Sequence, residues 1–175
     1  ALLQARDIFQ KMGRWEEAYG MAVQILKGPL SLHEKEIERK KLLGIKYELG
    51  KSLAASKNLD RALKIYKGII KLDRNFMPAY IGLCDILLES GERKEAIELL
   101  EDAYAATKSV IVLHKLEDVY LSIDQPEAII SFYQNALNRD SNNLDLKFFL
   151  GKLYYRLEMI DDAFEILSEI DPTDK

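Results

Sequence analysis

The side chains that could do chemistry are few in this sequence and poorly spaced for it. Its two histidines, His33 and His114, stand 81 residues apart, and no HExxH or paired CxxC motif accompanies them. The single cysteine, Cys84, sits at a small-residue position of an apolar, helix-patterned run, which suits packing better than nucleophilic attack. Acidic neighbours such as Glu117-Asp118 and Asp161-Asp162 are adjacent in sequence. Adjacent residues on a helix point about 100° apart, so such pairs make no carboxylate dyad by themselves. No glycine-rich phosphate loop is present. The sequence therefore predicts no catalytic residue, no metal and no cofactor. The question moves to which surfaces the elements present.

Those elements are predicted to be helices. Leu, Ile, Ala, Glu and Lys dominate, and only 9 Gly and 4 Pro occur among 175 residues, too few for a turn-rich β protein. Hydrophobic residues make up 48 % and charged residues 31 %, a balance that argues against a disordered chain. One cysteine allows no internal disulfide, so a reducing, cytoplasmic setting is expected. No apolar run approaches the roughly 18 residues of a membrane helix. The net charge of −4 is unevenly spread: +1 over residues 1–30, +6 over 31–75 and −11 over 76–175. An acidic surface over most of the chain disfavours nucleic acid as a partner. The basic stretch could face an anionic partner or surface.

Self-similarity organises the chain. Ala18, Ala62, Ala96 and Ala163 each open an apolar run with partners four and seven positions on, such as Tyr66 and Ile69 after Ala62; Ala128 is followed by Phe132, but Asn135 then replaces the apolar residue and Ala136 is the alternative. The anchors are separated by 44, 34, 32 and 35 residues. "YELGKSL" and "FFLGKLYY" share Leu-Gly-Lys, and Gly50 and Gly151 each precede an anchor by twelve residues. A small residue there lets a second helix approach closely. Turn signals predict helices over 2–12, 15–27, 33–56, 59–72, 76–89, 93–106, 109–122, 125–138, 143–157 and 160–170. Asn58 is expected as an N-cap, and Ser31 with Glu34 as a capping box. The long first spacing places about ten extra residues within "KGPLSLHEKEIERKK". They are expected to lengthen the third helix into an element that projects and could dock a partner.

A period near 34 built from paired helices resembles the tetratricopeptide repeat. The resemblance implies an all-α, right-handed superhelical solenoid of antiparallel helix pairs in one array. About five repeats are expected: 1–30, 31–75 with the lengthened first helix, 76–108, 109–142 and 143–175. It further implies a non-enzymatic scaffold whose first helices line a groove for a partner peptide or helix. Carried onto this sequence, the groove positions are Leu3 and Asp7, then Tyr47, Lys51 and Ala55, then Ile81, Asp85 and Glu89. His114, Asp118 and Ser122 follow, with one residue lost in their turn, and Phe148, Lys152 and Arg156 close the series. The chaperone-tail-binding branch of this family clamps a carboxylate with Lys, Asn and Arg. Here Tyr47, Lys51 and Gly82 stand at the corresponding places, with no clamp asparagine.

The order of "RWEEAYGMAVQIL", a spacer, "LAASKNLDRALKIY" and "VLHKLEDVYL" is similar to the cytoplasmic repeat region of the bacterial lipopolysaccharide assembly protein B family. That resemblance implies an excised portion of a membrane-anchored adaptor with a C-terminal metal site. The adaptor would act at the cytoplasmic face of the inner membrane in regulating lipopolysaccharide synthesis. Two other readings stay open: the regulatory repeat portion of a larger enzyme, and a self-assembling repeat module.

Overall fold

The computed structural model describes residues 1–170; the last five positions of the expected fifth repeat lie outside the described residues. Ten helices occupy the described chain: α1 (Leu2–Lys11), α2 (Trp15–Lys27), α3 (Leu32–Ala55), α4 (Leu59–Leu72), α5 (Met77–Glu89), α6 (Arg93–Thr107), α7 (Val110–Ser122), α8 (Pro126–Arg139), α9 (Leu144–Arg156) and α10 (Ile160–Ser168). Each lies within one or two residues of its sequence expectation. The chain forms two compact units, Ala1–Lys115 and Leu116–Lys175, divided inside α7.

One local device recurs in both units. Within each hairpin (α1–α2, α3–α4, α5–α6, α7–α8 and α9–α10) the helices are joined by three residues. The middle one is left-handed every time: Gly13 (φ 69°), Lys57 (61°), Gly91 (83°), Asp124 (56°) and Glu158 (61°). The next residue's N–H closes back on the carbonyl five positions earlier. Arg14 donates to Phe9 (2.9 Å), Asn58 to Leu53 (2.9 Å), Glu92 to Leu87 (2.8 Å), Gln125 to Tyr120 (3.0 Å) and Met159 to Tyr154 (2.9 Å). The middle residue's own N–H donates to the carbonyl three back, as Lys57 does to Ala54 at 2.9 Å. These two bonds are the Schellman ending of a helix, which satisfies carbonyls the helix leaves free. Lys57, Asp124 and Glu158 hold it without glycine, at a cost of order 1 kcal/mol each.

The five left-handed residues fall 44, 34, 33 and 34 positions apart. They correct one register. Ala128 is only half-buried, whereas Ile129 and Tyr133 are fully enclosed. The fourth anchor is therefore Ile129, in line with the buried Ala18, Ala62, Ala96 and Ala163. Pro126 occupies the first turn of α8 and Gln125 its N-cap. The Ser31–Glu34 capping box forms, with Ser31 Oγ accepting from the Glu34 N–H at 3.3 Å. Asn58 takes the N-cap position of α4 without a side-chain cap bond.

In the first unit the helices pack in sequence, and α3 also touches α5. A Cβ at Gly50 would come within 2.8 Å of the Tyr66 ring, and one at Gly68 within 2.6 Å of Lys46 Nζ. As residue numbers fall along α3 they rise along α4, so the pair is antiparallel. A Cβ at Gly82 on α5 would approach Tyr66 to 2.6 Å. The Tyr66 ring is thus held between two bare stretches of helix backbone. In the second unit a Cβ at Gly151 on α9 would meet Leu167 of α10 at 2.5 Å, the same close approach.

The lengthened α3 does not stand free. Glu38, in its extra turns, is 6 % exposed and pairs with Arg6 of α1, itself 3 % exposed. Lys41 reaches the other Glu38 oxygen at 3.0 Å, and Arg6 also donates to Asp7 at 2.7 Å. Leu42 packs on the Ala18, Ala22 and Ile45 cluster. The insertion buttresses the first hairpin, and its opening residue, Leu32, is exposed.

These contacts set the outcome of several substitutions. Gly82→Ala and Gly50→Ala should each lower stability by about 1–3 kcal/mol through overpacking on Tyr66. Gly20→Ala, inside α2 with nothing within 4 Å of the added carbon, should raise it by roughly 0.5–1 kcal/mol. Urea unfolding followed by circular dichroism reads both signs. Arg6→Leu alone should cost about 1–3 kcal/mol, because one buried Glu38 oxygen loses its partner while Lys41 still holds the other, and Arg6→Leu with Glu38→Leu should recover most of that loss.

Candidate partner-binding faces

The first helix of each hairpin turns one side to the core and one side out. On α3 the core side is Ile45, Leu49 and Leu53, and on α5 it is Ala79, Leu83 and Leu87. The sequence-predicted groove residues lie off these rows. In the first unit Leu3, Asp7, Lys51, Ala55, Asp85, Glu89 and His114 are exposed, while Tyr47 and Ile81 are half-buried.

Several of them meet side chains that periodicity alone did not indicate. Tyr47 stands 5.6 Å from Phe76, edge to face, and 6.0 Å from Tyr66, centroid to centroid. Lys51 places its ammonium 5.6 Å from the Tyr47 centroid and reaches Glu48 at 3.1 Å. Asp85 pairs with Lys115 at 2.6 Å, and Glu89 pairs with Lys57. Phe76 stands at the N-cap of α5, where the corresponding positions carry Leu42, Ser109 and Asn143, so no repeated aromatic marks it. The Tyr66 hydroxyl is pushed up to about 12 by burial, and by the negative charges of Tyr47, Asp85 and Glu48 when ionised. It stays a neutral donor and acceptor at the edge of this face.

The second unit repeats one arrangement. Lys152 lies 5.6 Å from the Phe148 centroid, four residues along α9, as Lys51 lies over Tyr47 on α3. Phe148 also meets Phe149 edge to face at 5.8 Å and remains exposed. Arg156 reaches Glu117 at 3.2 Å, and the Tyr133 hydroxyl donates to the other oxygen of that carboxylate at 2.9 Å. Asp118 and Ser122 are exposed on α7. Tyr155, beside Arg156, was not among the expected positions and is 70 % exposed.

Most of the charges on these faces are already paired within the chain. Ions paired at an exposed surface contribute little to binding energy, about 0–1 kcal/mol. The groups with area to offer a partner are Tyr47, Ile81, Phe148 and Tyr155, and aromatic anchors of this kind carry most of the energy at interfaces. Among the described residues no cluster of three His, Cys, Asp or Glu side chains could hold a metal ion. No helix among them is long and apolar enough to cross a membrane.

Paired helices, Schellman turns and a spacing near 34 make up the fold of a tetratricopeptide-repeat protein, and that family's model matches residues 53–111. Among its relatives, the chain is 24 % identical over 143 residues to lipopolysaccharide assembly protein B of Escherichia coli strain K12, covering 81 % of this chain and 36 % of that protein. It is 26 % identical over 177 residues to a TPR repeat-containing protein of Methanocaldococcus jannaschii, covering 97 % of this chain and 31 % of that one. The chain thus spans about a third of the length of either relative. A crystal structure of MamA shares the fold, at 19 % identity and a TM-score of 0.50, over 95 % of this chain and 86 % of that one.

Cys84 lies under this face. It is fully buried, and burial pushes its thiol up to about 11, away from the thiolate that reacts. Native protein at pH 8 should therefore resist a thiol-specific disulfide reagent and react stoichiometrically once unfolded in urea. Rapid labelling of the native chain would place Cys84 outside the core.

Proposed function

We propose that this chain is a scaffold that binds a partner protein on the outward faces of its first helices, without catalysing a reaction on it. The observation that carries this reading is a recurring device. An aromatic ring with a lysine four residues on, Tyr47 with Lys51 and Phe148 with Lys152, stands at corresponding positions of the second and fifth repeats. Core packing does not require it, because Phe148 and both lysines are exposed. Such a pair suits a peptide or helix that offers an apolar side chain next to an acidic group. The repeats 31–75, 76–108, 109–142 and 143–175 each contribute a first-helix face. The Ile81–Asp85 and His114–Asp118 pairs give the faces of the third and fourth repeats a different chemistry.

The similarity to lipopolysaccharide assembly protein B supports a narrower version. In it the chain is an adaptor in the regulation of lipopolysaccharide synthesis, placed at the cytoplasmic face of the inner membrane. The partner would then be a protein of that synthesis or of its turnover.

The test uses immobilised protein and a Gram-negative bacterial lysate, with captured proteins identified by mass spectrometry. A specific partner should lose tenfold or more in affinity, about 1.4 kcal/mol or more, on Tyr47→Ala or Phe148→Ala. Lys51→Glu, Lys152→Glu and Arg156→Glu should weaken it further. A partner indifferent to all five changes would move binding off these faces. An enzyme of lipopolysaccharide synthesis among the sensitive captures would support the narrower version.

A further inference from the structure

The turn register sets one ion pair beside its counterpart in another hairpin. Lys147 of α9 stands eleven residues before the left-handed Glu158, and Glu169, at the C-cap of α10, eleven after it. The two pair at 2.8 Å. About Lys57 the same two positions are held by Lys46 of α3 and Gly68 of α4. The crossing is kept, since a Cβ at Gly68 would lie 2.6 Å from Lys46 Nζ. The lysine recurs, but its acid is replaced by the one residue with no side chain. In the other three hairpins the lysine position carries Leu2, Tyr80 and Leu113, so the fold itself does not require a lysine there.

No acid of the chain takes over from the missing carboxylate. Lys46 is half-buried, and burial pushes its ammonium down from the ordinary lysine range with no neighbouring charge opposing the shift. A cation drawn partly out of water without a counter-ion costs free energy. Three further cations lie along α4 around the crossing. Lys64 and Lys71 are one turn before and one turn after Gly68, Lys67 is its neighbour, and all three are exposed. Arg61, the remaining cation of α4, is taken up by Glu16, and the one acid of α4, Asp60, stands at its start. On α6 the positions of Lys64 and Lys67 are held by Glu98 and Glu101, so the basic stripe belongs to α4 and not to second helices in general.

We propose that Lys46, lying over Gly68, is the receiving half of an ion pair whose carboxylate comes from an acidic segment of a partner protein docked along α4. One acidic side chain of the partner takes the place beside Lys46 that Glu169 takes beside Lys147. Its neighbours face Lys64, Lys67 and Lys71, whose spacing of three and four residues matches carboxylates on one face of an acidic helix. Charge complementarity of this kind selects and steers a partner more than it adds affinity. A flat anionic surface would meet the three exposed lysines and leave the half-buried Lys46 unpaired. The contact uses none of the aromatic and lysine positions of the first-helix faces and stands independently of the partner-binding reading.

Gly68→Glu should supply the missing acid from within the chain. Its melting midpoint should exceed that of Gly68→Gln, and the difference should vanish when Lys46→Met is added to both. Docking is read by fluorescence anisotropy at low salt, with a labelled helical peptide bearing glutamates three and four residues apart on one face and its glutamine version as control. Lys46→Met and Gly68→Glu should each weaken the glutamate peptide about threefold or more, Lys46→Arg should retain it, and Phe148→Ala should leave it unchanged. Equal melting midpoints for Gly68→Glu and Gly68→Gln, or a glutamate peptide indifferent to Lys46→Met, overturn the proposal. A Lys46→Met effect confined to phosphatidylglycerol vesicles, or to self-association in sedimentation velocity, assigns the site to a lipid surface or to a second copy and overturns it as well.

Discussion

The left-handed residue at the middle of each three-residue turn is the constraint from which the rest of the architecture follows. It reverses the chain in the shortest space and satisfies the carbonyls at the end of the first helix. It also fixes which residue of the second helix meets which residue of the first. With that register set, the hairpin interior becomes a matter of paired volumes. The first-helix position three residues before the closing carbonyl always faces the same problem, and the five repeats solve it differently.

Gly50 meets Tyr66, Glu117 meets Tyr133 and Gly151 meets Leu167 at that crossing, and the same register sets Arg6 opposite Ala22 and Cys84 opposite Leu100. Where the first helix gives a small residue, the second brings a large one. Where the first helix brings a charge, the charge is satisfied in place. Arg6 is paired with Glu38, and Glu117 accepts from Tyr133 and Arg156. The extra turns of α3 then have a structural reason: they supply the carboxylate that allows an arginine to be buried in the first hairpin.

Much of this was legible in the sequence, because alanine anchors, Leu-Gly-Lys segments and polar turns recur with the repeat itself. The fourth anchor was misread because Ala128 has the right residue type one position early, while Ile129 carries the burial. The shortened turn before it had already been allowed for at His114, and extending that shift to α8 would have found Ile129. The Arg6–Glu38 pair was not legible, since it joins residues 32 apart through an insertion that has no equivalent in other repeats. On the candidate faces the repeat gave positions but not partners. Lys115 beside Asp85, Phe76 beside Tyr47 and Glu117 beneath Arg156 depend on side-chain reach between elements, which periodicity does not encode.

The seat of Tyr66 bears on the order of the repeats. The ring needs bare backbone on its own first helix, at Gly50, and on the first helix of the following repeat, at Gly82. At the position of Gly82, the other repeats carry Gln4, Glu48, Lys115 and Phe149. None of those repeats could follow Tyr66 without displacing it. The modules are therefore not interchangeable beads: a duplication or shuffling event that moved the third repeat away from the second would unseat a core tyrosine, and the sequence of the array is written into its packing.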